Sequence, residues 1–367
     1  VPWKEHGRAR RGNRDARGAA RKECRSFRRA LRDAYAGAAA HAAYAGSLCA
    51  GCAGGDGVRY PPRPMRVVSL LPSATELLCA AGGGALLVGR SHECDFPADL
   101  AQVPVLTRAR THGGSSAEID AEVSASLAGG SSLYELDERL LAELAPDVIL
   151  TQSLCDVCSI DLRTVERVAA GLAKKPAVVN LDPKSVFDVF DDLLRVGEAV
   201  GRAPEAERAM VALRARYWSA IDFVNPYVPG PEVLFLEWAD PPFCGGHWTP
   251  ALIEAAGARH SLNAAGAKSR RVTPEEILES APERIVICPC GFDLARTRAE
   301  YELLKKTRWW PLLPAVLEAK PGAIALVDGN QMFNRPGPRL VDAFEWLVGW
   351  LNGRDELIPA GFPVQYA

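Results

Sequence analysis

The chain has 367 residues, 48% of them hydrophobic and 24% charged, with a formal net charge of −2, which are values of an ordinary globular protein. Charge is divided unevenly: residues 1–64 hold 14 Lys and Arg against 5 Asp and Glu, and residues 65–367 hold 29 against 40. The folded part is therefore acidic, which argues against a nucleic-acid partner, and no stretch reaches the roughly 18 apolar residues that a transmembrane segment needs.

Residues 1–64 stand apart as a basic, Ala/Gly-rich extension unable to bury a core. The composition suits an organellar transit peptide or an unfolded arm better than a secretory signal. Because the first residue is Val1, a fragment or a doubtful gene start, with an untranslated stretch read as protein, is a further expectation. Residues 65–183 read as a first α/β lobe. Met65–Leu71 is a strand, and Pro72 opens a helix that Ser73 should cap, with Glu76 completing a capping box. Residues 82–84, all glycine, end that helix, Ala85–Gly89 is a second strand, and residues 92–97 form the loop at its end. A Ser/Gly-rich stretch from Gly113 to Ser132 carries a short helix near Glu118–Leu127; loops of this length often form lids. Tyr134–Leu144 reads as a helix, Val148–Gln152 as a strand, Leu162–Leu172 as a helix and Ala177–Leu181 as the last strand of the lobe. Residues 184–224 have helical apolar spacing almost throughout, and a helix over Ala203–Val224 would run roughly 33 Å. A second lobe follows over 225–356, with strands at Glu232–Trp238, Arg284–Cys288 and Ala323–Val327, a closing helix near Pro338–Leu351, and a tail at 357–367.

One phrase occurs twice. Leu141-Ala-Glu-Leu-Ala-Pro-Asp-Val-Ile-Leu150 leads to Cys155 and Cys158, and Ile277-Leu-Glu-Ser-Ala-Pro-Glu-Arg-Ile-Val-Ile287 leads to Cys288 and Cys290. Each is a short helix stopped by Ala-Pro and followed by a β-branched run typical of a buried parallel strand. A second echo pairs Ala74–Gly82 with Pro250–Gly257. Two similar lobes facing each other across a cleft are the simplest architecture for such duplication, and ligands in open α/β sheets bind beyond the strand carboxyl ends.

Those ends carry an unusual set of side chains: His92 and Cys94, Cys155 and Cys158, Cys244 and His247, Cys288 and Cys290. Cys-x-x-Cys and Cys-x-x-His spacings let two soft donors reach one zinc or iron, and a lone imidazole can serve as axial ligand to a metal chelate. All eight are candidate metal ligands, expected to converge on one opening. Seven of the ten cysteines lie beyond the extension, an odd count that does not close a disulfide framework. No phosphate loop, Gly-x-Gly-x-x-Gly after the first strand, Gly-x-Ser-x-Gly or His-Glu-x-x-His is present, so enzymatic readings are thin.

In order, Val68-Ser-Leu-Leu-Pro-Ser-Ala-Thr-Glu-Leu77, Val88 to Pro97, Ala145-Pro-Asp-Val-Ile149, Pro241-Pro-Phe243 and Phe333 to Arg339 make residues 65–352 resemble the helical-backbone class of periplasmic binding proteins, most of all its vitamin B12-binding branch. The resemblance implies two Rossmann-like α/β lobes joined by one long helix, and a cobalamin or related metal chelate held in the cleft between them. It implies a monomeric, non-enzymatic, periplasmic capture protein that hands a small-molecule ligand to an ABC permease. In that family a glutamate on the first helix of each lobe docks on permease arginines, and Glu76 and Glu254 occupy the matching places. Ligand contacts are expected from His92, Asp95, Trp238, Phe243, Trp248, Phe333, Asn334 and Arg335. His92 replaces the aromatic that touches the corrin in that branch, and the tryptophan found soon after it has no counterpart between Leu106 and Gly113. The rival expectation is a metal-dependent or redox enzyme that binds zinc or iron through the cleft thiols and imidazoles.

Overall fold

The structure is a computed structural model that describes residues 63–367 apart from 112, 129–132 and 154–159. Residues 64–367 form one compact unit. Its first lobe runs β1 (Val67–Ser69), α1 (Pro72–Ala80), β2 (Leu87–Arg90), β3 (Thr107–Ala109), α2 (Ser116–Ala128), β4 (Tyr134–Leu136), α3 (Glu138–Leu144), β5 (Val148–Gln152), α4 (Leu162–Gly171) and β6 (Ala177–Leu181). Two helices follow, α5 (Val186–Ala199) and α6 (Ala203–Ile221). The second lobe runs β7 (Val233–Trp238), β8 (Phe243–Cys244), α7 (Thr249–Ala255), β9 (Arg270–Arg271), α8 (Pro274–Ser280), β10 (Arg284–Ile287), α9 (Leu294–Leu304), α10 (Pro314–Leu317), β11 (Ile324–Val327), α11 (Leu340–Asn352) and β12 (Val364–Tyr366).

The first sheet is ordered β2-β1-β5-β6 and is parallel throughout. The second is ordered β12-β11-β10-β7-β8-β9, with β11, β10 and β7 parallel. The repeated phrase occupies equivalent places: β5 is flanked by β1 and β6, and β10 by β7 and β11. Each preceding helix ends on an alanine in the left-handed region, Ala145 at φ 42° and Ala281 at φ 47°, because the following proline forbids another helical turn. β5 is buried at every position, as a parallel strand covered on both faces must be. Residues 357–367, expected as a tail, supply β12, which pairs antiparallel with β11.

Three local expectations differ. Tyr134–Leu136 is a strand paired with β3, and the helix starts only at Glu138, where the Asp137 carboxylate accepts from the Leu140 N–H. Ser73 lies inside α1 and caps nothing; the helix starts at Pro72 with no side-chain cap, and Glu76 points elsewhere. The reciprocal capping boxes are Ser185 with Asp188 on α5 and Thr273 with Glu276 on α8.

Helix α6 has 19 residues, about 28 Å at 1.5 Å per residue, slightly shorter than expected. It packs on α5, touches α1 of the first lobe and lies against α11 of the second. Tyr217 stacks on Phe344 with ring centroids 4.4 Å apart, and Arg216 donates to both carboxylate oxygens of Glu345, at 3.0 and 2.7 Å. One apolar cluster accordingly runs from Leu77 and Leu78 of α1 through Leu213 and Tyr217 to Phe344 and Trp346 of α11.

Asp192, buried on α5, accepts from Arg195 at 2.8 Å, and burial pushes its carboxyl up to about 6 in spite of that arginine. A raised folded pKa adds stability that is complete below the unfolded value near 4 and disappears as pH rises through about 6. Asp192→Asn should therefore gain on the wild type as pH rises from 4 to 8, by up to about 3 kcal/mol. Urea midpoints of both proteins across that range check this; a difference that does not change with pH would contradict it.

Candidate functional site

The carboxyl ends of the parallel strands meet at a cavity of 520 Å³, within the usual range for small-molecule sites. The second lobe supplies an aromatic wall of Trp238 and Phe243, bordered by the largely buried Trp248 and Phe333. Facing it, the first lobe contributes polar groups, among them Glu93, Tyr134 and Gln152. Trp248 donates its indole N–H to the Phe333 carbonyl at 2.6 Å, and the Phe333 ring packs edge-on to Phe235, so the wall is fixed from behind. His247 (φ 53°) and Phe333 (φ 58°) both hold left-handed backbone and both line the cavity. Left-handed non-glycine residues are costly, and their occurrence here is what a functional site tolerates.

Glu237, at the end of β7, is a carboxyl that lines the cavity. It accepts from Ser269 Oγ at 2.8 Å and from the Gly246 N–H at 3.2 Å, and burial pushes its pKa up against those two bonds. The second bond depends on glycine, since a Cβ at 246 would stand 2.2 Å from the Ser269 nitrogen. His247 follows; burial, then the Lys268 charge, holds its imidazole below the ordinary histidine range, so it is neutral and a competent nitrogen donor at neutral pH. Cys290 lines the same cavity.

Six of the eight expected ligand contacts are lining residues: Trp238, Phe243, Trp248, Phe333, Asn334 and Arg335. His92 and Asp95 are not. The His92 Nδ1 is 2.7 Å from Thr107 Oγ1, and burial lowers its pKa. Asp95 instead forms a bridge between the lobes, accepting from Arg335 at 2.5 and 3.2 Å and from Asn330 at 3.0 Å. Burial raises its pKa, but the Arg335 bonds and charge outweigh this and leave it below the usual carboxylate value.

The expected convergence of thiols and imidazoles fails for four of the six candidates among the described residues, His92, Cys94, Cys244 and Cys288. Among the described residues no three His, Cys, Asp or Glu side chains come together as a metal site. Cys94 is buried beside Thr75 with its thiol pushed up to about 11, Cys244 points to the Leu262 and Arg270 carbonyls, and Cys288 lies beneath Asn334. These three behave as small core hydrophobes. Cys155 and Cys158 lie outside the described residues. Of the six candidate donors among the described residues, His247 and Cys290 are at the cavity.

Glu76 is also not the exposed acid that docking would use. It is 2% exposed and held by Arg339 through both oxygens, at 2.6 and 2.9 Å, with Arg335 at 3.5 Å. Two arginines of the second lobe thus grip a carboxylate of the first, a geometry suited to the planar guanidinium fork. Glu254, on α7, remains exposed.

Two parallel-stranded α/β lobes, a helical connection lying against both, and a cavity at the strand ends define the fold of the helical-backbone substrate-binding proteins. No family profile matches the chain. It is similar to the vitamin B12-binding protein of Photorhabdus laumondii, 25% identical over 292 residues, 79% of this chain and 88% of that protein. Among solved structures it is similar to the periplasmic vitamin B12-binding protein of Vibrio cholerae, with a TM-score of 0.57 and 17% identity over 79% of this chain and 98% of the other. A periplasmic heme-binding protein of Pseudomonas aeruginosa gives a TM-score of 0.60 and 20% identity over 83% and 98%. The resemblance read from the sequence thus holds, and the named relatives are binding proteins. Among the described residues no helix is long and apolar enough to cross a membrane.

Proposed function

We propose that this chain captures a flat, metal-bearing macrocycle, a corrinoid or heme-like chelate, in the cavity between its lobes and presents it to an ABC permease. The observation that carries the reading is the cavity itself: a 520 Å³ space walled by the part-exposed Trp238 and Phe243 and bordered by the largely buried Trp248 and Phe333, with the neutral imidazole of His247 and the thiol of Cys290 facing it. An extended aromatic wall suits a π-conjugated ligand, and one or two soft donors suit an axial position on a metal already held by its macrocycle. Bare zinc or iron would need three or four converging protein ligands. Names of relatives agree in kind, since they include proteins for vitamin B12 and for heme. In this reading the protein is periplasmic, and Glu254 is the acid left for permease docking.

Gel filtration after mixing with hemin or, separately, with hydroxocobalamin tests the proposal. One chelate should co-elute at one per chain, with its visible band displaced by coordination. His247→Ala should abolish or alter that displacement while binding persists through the aromatic wall. Stoichiometric zinc or iron with neither chelate retained would contradict the reading and favour direct metal binding by the thiols.

A further inference from the structure

Helix α2 belongs to the first lobe by sequence, yet its best contacts are with the second. Ser116, its first residue, is fully buried, and its N–H donates to one oxygen of Glu300 on α9 at 3.0 Å while its Oγ donates to the other at 2.5 Å. Glu300 is itself only 3% exposed, so a buried carboxylate sits at the positive end of a 13-residue helix, where the helix dipole favours it. The same Ser116 Oγ accepts from the Asp240 N–H at 3.0 Å, and the Ser116 carbonyl accepts from the Trp238 indole N–H at 3.1 Å. Gly114 accepts from Arg296 at 3.0 Å, and Asp120 pairs with Arg271 at 3.2 Å. Beyond this anchor, Ile119, Val123 and Ser124 of α2 line the cavity.

We propose that α2 is a lid over the ligand cavity and that Ser116, clasped by Glu300, Asp240 and Trp238, is its latch. The anchor is small and polar, a few hydrogen bonds of which those to Glu300 and from Arg296 are charge-assisted. Trp238 couples the latch to the cargo, because its ring forms part of the aromatic wall while its N–H holds the helix. A macrocycle broader than one side chain enters or leaves when the latch opens. This lid rests on the cavity being the binding site, but its gating can be read without any ligand.

Cys290 lines the cavity, and Cys79, half-buried on α1, does not, so labelling at Cys79 reports loosening elsewhere in the same molecule. Fluorescein maleimide, a bulky flat reagent, is applied to the full chain and the labelled peptides are quantified by mass spectrometry. Ser116→Ala removes the Oγ that serves both Glu300 and Asp240. It should raise the labelling rate of Cys290 about tenfold, the effect of losing about 1.4 kcal/mol of closure, and leave that of Cys79 unchanged. Glu300→Gln, which keeps the shape of the side chain and removes its charge, should act in the same direction and decides the matter if Ser116→Ala does not fold. Equal Cys290 rates in wild type and variant, or a parallel rise at Cys79, would overturn the lid. Failure of hemin and hydroxocobalamin to bind would sink the proposed function and leave this labelling result standing.

Discussion

Arg339→Met should cost about 3 to 5 kcal/mol of folding stability, the loss expected when one partner of a buried ion pair is removed and the other stays charged. Glu76 is the reason. Its carboxylate is 2% exposed and takes its two short bonds from Arg339, so the variant leaves it with Arg335 at 3.5 Å, a guanidinium already committed to Asp95. Arg339 also lies over the Phe96 ring at 4.3 Å, which methionine replaces only in part. The double variant Glu76→Gln/Arg339→Met removes both charges and should recover much of the loss, because Arg335 keeps Asp95. Urea unfolding of the three proteins measures this. A single-variant loss within about 0.5 kcal/mol, the range of ordinary surface changes, would show that the pair is not what ties the lobes.

Trp238→Ala should weaken binding of whichever chelate is retained by about 30-fold or more, the equivalent of at least about 2 kcal/mol for a buried aromatic hot spot. Two losses add at this residue: the ring that faces the ligand, and the indole N–H that holds Ser116. His92→Ala should change affinity by less than a factor of about 2, since that imidazole is tied to Thr107 and lies outside the cavity lining. The contrast matters, because the resemblance to the B12-binding branch put His92 at a corrin contact. Equal losses in the two variants would restore that expectation and undo the cavity assignment.

Much of the architecture was legible in local patterns. Ala145-Pro146 and Ala281-Pro282 each mark a helix end and a strand start within a few residues, and the structure places the two strands at equivalent sheet positions. The aromatic wall was legible too, since Trp238, Phe243 and Trp248 cluster just past one strand end. What failed was decided at long range. Ser73 and Glu76 have capping-box spacing, but the carboxylate finds arginines more than 250 residues away, and a buried bidentate pair outcompetes a local cap. Ser116 meets Glu300 across 184 residues, a pairing that no spacing announces. The thiols misled because cysteine next to a strand end is chemically eligible as a ligand and equally good as core filler, and only packing separates the two. Tyr134–Leu136 was absorbed into the following helix because its β-partner, β3, lies across the intervening segment.

The central claim is that the cavity between the lobes holds a metal macrocycle, and tryptophan fluorescence tests it most directly, because Trp238 forms part of the wall and Trp248 borders it. Titration of the full chain with hemin and with hydroxocobalamin should quench emission saturably at one equivalent for at least one of them. The account predicts a Kd of about 1 µM or tighter, corresponding to about −8 kcal/mol, and loss of most of the saturable quenching in Trp238→Ala. Linear, non-saturating quenching by both chelates, the same in wild type and variant, would contradict it.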